Sequence, residues 1–170
     1  NLGYPNLNDD DWLWGGDLRA IEYTLTHGIR QAGHDETRMS IMPAFEGMLE
    51  PAQVEAVVSH VLSLSGKAEG SALGAQVFAD NCAVCHGARG EGSREFGAPN
   101  LSDAIWLRGS TREDIRRQVL TPRLGMMPKW EGRLDPVTIK MLAAYVHSLG
   151  GGEDFVEVAE DPAVEVDEQP

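Results

Sequence analysis

The stretch CAVCH, Cys82 to His86, sets two thiols three residues apart with an imidazole directly after the second. Cys-x-x-Cys-His is the attachment pattern of a c-type haem. The spacing has a physical reason. Thiols at this separation lie on neighbouring helical turns, where both can form thioether bonds to the haem vinyl groups. His86 then meets the iron from the proximal side. Two other chemistries fit a bare Cys-x-x-Cys less well. A structural zinc site needs four nitrogen or sulfur ligands, and the chain has only these two cysteines. A thioredoxin-like redox pair sits near a βαβ pattern, and nothing in this sequence alternates like a strand.

A haem iron held by histidine on one face takes methionine on the other when the group carries electrons, because the thioether raises the potential. The chain has two Met-Pro steps, Met42-Pro43 and Met127-Pro128. The proline holds its loop extended. Met127, 41 residues after His86, is the expected ligand to the iron at His86, with Met126 the alternative. Met39, Met48 and Met141 read as ordinary packing residues. Trp106, Arg108 and Arg123 are candidate donors to the haem propionates, and Pro99 and Pro128 are candidate pocket contacts. The plainer reading of these is a core tryptophan and solvent-facing arginines. His27, His60 and His147 receive no role. His34 reads as a surface residue or as one at the edge of a first haem.

The elements that position these residues come as a repeat. GYPNLNDDDWLWGG (3–16) aligns with GAPNLSDAIWLRGS (97–110) at an offset of 94. MPAFEGMLEPAQVEAVVSHVLSLSG (42–66) aligns with MPKWEGRLDPVTIKMLAAYVHSLGG (127–151) at an offset of 85. The difference of nine is an insertion around QAGHDETRM (31–39), and GKAEGS (66–71) is the expected boundary between units. Asp135 and Pro136 open a helix with Ile139, Leu142, Ala143, Val146 and Leu149 at helical spacing, stopped by Gly150. Its counterpart runs from Pro51 to Ser65, with Val54, Val57, Val58, Val61 and Leu62 on the buried side. Ser110 with Glu113 suggests a capping box for a helix through Arg116 and Val119. A further helix, Ser71 to Cys82, leads into the cysteine pair. Gly74 and Phe78 in it, with Tyr145 on the last helix, predict a close crossing of those two helices.

Charge is uneven along the chain: net −7 over residues 1–66, +2 over 67–150 and −8 over 151–170. The last segment has no apolar period and reads as a disordered tail. The acidic first unit disfavours nucleic acid and suits a basic protein partner. No window approaches the roughly 18 apolar residues of a membrane span. Cys82 lies 17 residues before Pro99, so equal spacing before Pro5 sets the first unit's own cysteine motif ahead of Asn1.

GYPNLNDDDWLWGG, then HGIRQAGHDETRMSIMPAF, then CAVCHGARGEG resembles the dihaem cytochrome c subunit (subunit III) of cbb3-type cytochrome c oxidases, shortened at the N-terminus. The likeness covers residues 1–151, and the PNLNDDDWLWGG segment is its more specific part. It implies an all-α fold of two tandem class I cytochrome c-like domains, 1–66 without its Cys-x-x-Cys-His segment and 67–151 complete, before an acidic tail, 152–170. It implies haem c, attached at Cys82 and Cys85 and ligated by His86 and Met127, with Met42 serving a second haem. It implies a non-catalytic electron-transfer subunit on the periplasmic side of the bacterial inner membrane. The implied partners are donor c-type cytochromes, the haem–copper catalytic subunit and the monohaem cytochrome subunit. The alternatives are a free-standing dihaem cytochrome, the cytochrome subunit of a periplasmic dehydrogenase, or a dihaem peroxidase, against which two Met-capped irons argue.

Overall fold

A computed structural model describes residues 3–155, so the tail expected over 152–170 lies outside the described residues from 156 onward. Six helices follow one another: α1 (Leu18–His27), α2 (Pro51–Leu64), α3 (Ala72–Asn81), α4 (Ala83–His86), α5 (Arg112–Leu120) and α6 (Pro136–His147). Among the described residues there is no strand, only isolated bridges such as the antiparallel one between Ile29 and Met127. No described helix is long and apolar enough to cross a membrane.

Side-chain caps set the helix starts. Asp135 accepts from the N–H groups of Val137 and Thr138, with Pro136 in the first turn of α6, so two orphan donors are satisfied where proline has none to lose. Ser71 accepts from Gly74 N–H at the start of α3. The box at α5 is formed by Thr111 and Asp114, one residue later than the expected Ser110 and Glu113. Asp114 reaches both the hydroxyl and the N–H of Thr111, a reciprocal pair that Ser110 does not make. Helix α1, which the sequence reading did not place although Leu18, Ile21 and Leu25 recur at helical spacing, is fixed at its start by Asp17 accepting from Arg19 and Ala20.

The packing of these helices departs from the repeat. Helix α3 does not cross α6 of its own unit; it packs on α2, which belongs to the first repeat, while α1 packs on α6. A Cβ on Gly74 would run into the carbonyl oxygen of Ala56 in α2, so glycine is what lets the two backbones touch. Tyr145, expected at that crossing, is 62% exposed. One core holds Phe45, Val57, Val58 and Val61 of the first repeat with Phe78 and Val119 of the second. The residues from GKAEGS onward therefore join two helices of one packed half, and the turn at 66–71 does not divide two cores.

The exchange is reciprocal, and backbone hydrogen bonds record it. Phe45 and Glu46 N–H donate to Val119 and Leu120 carbonyls at 3.1 and 3.3 Å. Their repeat counterparts, Trp130 and Glu131, donate to Leu25 and Thr26 at 3.0 and 3.2 Å. Each Met-Pro loop, with the helix after it, thus docks on the other unit's loop helix. Gly28, at φ +71, makes the second docking possible, because a Cβ there would strike the Met127 carbonyl. Trp12 Nε1–H donates to the Gly151 carbonyl, and Glu153 N–H to Gly16 at 3.0 Å, tying the chain after α6 back to the first unit.

Candidate haem site

Helix α3 ends at Cys82, whose N–H bonds Phe78 at 2.8 Å, and the chain turns directly into α4. This short turn puts Cys82, Cys85 and His86 on the wall of one cavity. His86 is 9% exposed, and its Nδ1–H donates to the Pro99 carbonyl at 3.1 Å. That bond fixes the tautomer and leaves Nε2 free to act as a ligand. Burial holds the imidazole pKa below its ordinary value, against the opposing effect of the Pro99 bond, so at neutral pH the ring is an uncharged electron-pair donor. Burial, then Cys85, pushes the Cys82 thiol up to about 11.

Met42 lines the same cavity, with Ile41 and Pro43 beside it. Met127, expected there, does not. Its N–H and carbonyl pair with Ile29 at 3.0 and 2.9 Å, and Pro128 goes with it to the α1 side, against Gly28. Met126 is 63% exposed and also lies outside the cavity lining. The reason is the exchange: the loop that reaches the cavity is docked on the end of α5 by Phe45 and Glu46, and so comes from the first repeat.

Pro99, Trp106, Arg108 and Arg123 all line the cavity. The Trp106 indole N–H is buried without a hydrogen-bond partner, a costly state unless a bound group supplies the acceptor. Arg30, which the sequence reading did not single out, joins Arg108 in the lining. It is half-buried at φ 55, its Nε–H donating to Gly125 at 2.6 Å and its Nη1–H to Ser40 at 3.1 Å. Burial first, and the nearby Arg108 second, lower its pKa. Among the described residues neither arginine pairs with a carboxylate. Two unpaired cations and an orphaned donor around one cavity fit an anionic group, and haem carries two propionates. The donor set of two thiols, one imidazole and one thioether fits the rest of haem c.

Residues 71–146 match the model of the family described as cytochrome c oxidase, cbb3-type, subunit III. The chain is 54% identical over 158 residues to the cbb3-type cytochrome c oxidase subunit CcoP of Cereibacter sphaeroides, covering 90% of this chain and 54% of that one. It is 52% identical over 157 residues to subunit FixP of a Bradyrhizobium species, covering 89% and 54%. With FixP of Rhizobium meliloti it shares 53% over 154 residues, covering 89% and 53%. Residues 71–146 carry the cbb3-type subunit III domain, and the likeness to such subunits runs over nine tenths of the chain. The chain spans about half the length of the curated relatives it matches. The match to this cytochrome family carries haem c with it, and the helical, strand-free architecture of the described residues is consistent with a cytochrome c-like fold.

Proposed function

We propose that this subunit III chain transfers electrons through c-type haem within a cbb3-type terminal oxidase, and that it does not itself reduce oxygen. The carrying observation is the cavity that gathers Cys82, Cys85, His86 and Met42. Haem c supplies the reversible one-electron chemistry when bound. Cys82 and Cys85 would hold the haem covalently, each thiol S–H being the pair of atoms that adds across a vinyl group to leave a thioether. His86 presents Nε2, held by its bond to Pro99. Met42 would supply a thioether as the second protein ligand to the iron. Arg30, Arg108 and Trp106 would hold the propionates, and the two cations would favour the reduced form by their charge.

Each packed half is read as a class I cytochrome c-like unit, and the docking of its loop on α1 points Met127 to a second haem on the α1–α6 side. The partners in this reading are donor cytochromes on the periplasmic face and, inside the complex, the monohaem and haem–copper subunits. Co-purification tests it. The haem-loaded protein should be isolated with a copper-containing oxidase, and a stain for covalent haem should follow the chain after denaturation. A Cys82→Ala, Cys85→Ala double variant that keeps the full covalent haem content would overturn the assignment of the attachment site.

A further inference from the structure

On the face where the Met127 loop docks, His27 Nδ1 and His34 Nε2 lie 3.0 Å apart, their rings nearly parallel at 14°. Glu131 reaches the same point, and ligand atoms of all three residues fall within 4.8 Å of one another. Glu36 adds a carboxylate 3.7 Å from His27 Nδ1. The ligands come from three segments: the end of α1, the nine-residue insertion and the exchanged loop. Backbone bonds hold the third in place, since Glu131 N–H donates to Thr26, one residue before His27, at 3.2 Å.

We propose that His27, His34 and Glu131 bind a divalent transition-metal ion of the zinc class, which pins the exchanged loop to α1. Two imidazole nitrogens and a carboxylate suit zinc, and exclude magnesium and calcium, which prefer oxygen alone. Zinc–nitrogen bonds of about 2.0–2.1 Å need the two nitrogens roughly 3.0–3.4 Å apart, depending on the angle at the metal. The observed pair already stands at that separation. Lys129 now bonds Glu131 at 3.2 Å and is exposed, so it can swing away when the metal arrives.

The second repeat supplies an internal comparison. Its loop helix receives the first repeat's Met-Pro loop by the same backbone docking, Glu46 N–H donating to the Leu120 carbonyl. Yet Thr121 stands where His27 does in the repeat, and the insertion carrying His34 has no counterpart. The scaffold is repeated and the ligands are not. They stand at one copy of a docking joint that holds without them in the other.

The test uses the full-length, haem-loaded protein after dialysis against a chelator. Calorimetric titration with zinc chloride should show a saturable site that His34→Ala weakens by at least about tenfold, with no matching heat from magnesium. His34 lies in a surface insertion, and an unchanged haem spectrum checks that the variant is folded. Zinc should also raise the melting temperature of the parent protein and not that of His34→Ala. Equal zinc affinity in the two proteins overturns the proposal. So does the absence of saturable zinc binding, which would leave the two imidazoles as a simple N–H···N pair.

Discussion

The N–H of Phe45 donates to the carbonyl of Val119 at 3.1 Å, a bond between the Met-Pro loop of one repeat unit and the loop helix of the other. It delivers Met42 to the cavity of Cys82, Cys85 and His86. Met42→Ala should therefore lower the potential of the haem attached there and let carbon monoxide bind its reduced iron. Met127→Ala should leave both properties of that haem unchanged. Redox titration and carbon monoxide difference spectra of the two variants measure this. The reverse pattern would mean that each unit keeps its own methionine.

The α2–α3 contact gives a second test that needs no haem. Gly74→Val sets a side chain against the backbone of Ala56 and should cost about 3 kcal/mol, as overpacking does. Tyr145→Ala should change stability by no more than about 0.5 kcal/mol, the usual range for an exposed position. Urea melts of the two variants report it. A large loss at Tyr145 would instead support the crossing of α3 with α6.

Arg30 and Arg108 should act on potential. A cation beside the haem disfavours the more positive, oxidised state, so removing one lowers the midpoint. Arg30→Gln and Arg108→Gln should each do so, with the larger effect at low ionic strength. Potentiometry of the attached haem at two salt concentrations checks both sign and dependence. An unchanged midpoint would place the propionates elsewhere.

In the haem-free chain, the Cys82 thiol is held up to about 11 by burial and then by Cys85. A raised pKa means that the thiol stays protonated through the neutral range and becomes a reactive thiolate only near pH 11. Iodoacetamide should thus label Cys82 slowly at pH 8, with a rate still climbing at pH 10. The Cys85→Ser protein makes the reading specific. A labelling rate that levels off near pH 8.5 would contradict the burial.

At the other half, Asp17→Ala removes the side-chain acceptor for Arg19 and Ala20. The loss should be about 1 kcal/mol, with the protection of α1 amides falling most. Hydrogen exchange measures where the effect lands. Uniform loss across α2 and α3 would mean that α1 supports the other core directly.

Helices α2, α3, α5 and α6 were legible from local punctuation: proline in the first turn at Pro51 and Pro136, Ser71 before Gly74, a capping pattern one residue out of place at α5, and helical spacing of valine and isoleucine. Cys82, Cys85 and His86 were legible because their chemistry depends on neighbours in sequence. The partner of His86 was not. MPAF and MPKW are near copies, and the helix ends that receive them are near copies too, so either loop satisfies either joint by local chemistry. Which one docks is set by the whole arrangement of α2 against α3. Arg30 was hidden for the same reason, since its place at the Cys82 cavity exists only once the loops have exchanged. His27 and His34 sit seven residues apart in a stretch without a motif, and the insertion loop brings them together only on folding.

The half that holds the haem site takes its core and most of its cavity wall from an unbroken run of chain, from about Ile41 to Gly125, with Leu13 and Arg30 reaching the cavity from before it. Within that run the order of parts is rotated: distal loop and closing helix come first, and the helix leading to the cysteines comes after. It is a circular permutation of the order in which the second repeat unit is written. On a ribosome making the chain from its N-terminus, this inner half has all its pieces once Gly125 has emerged. The outer half, begun first, must wait for α6.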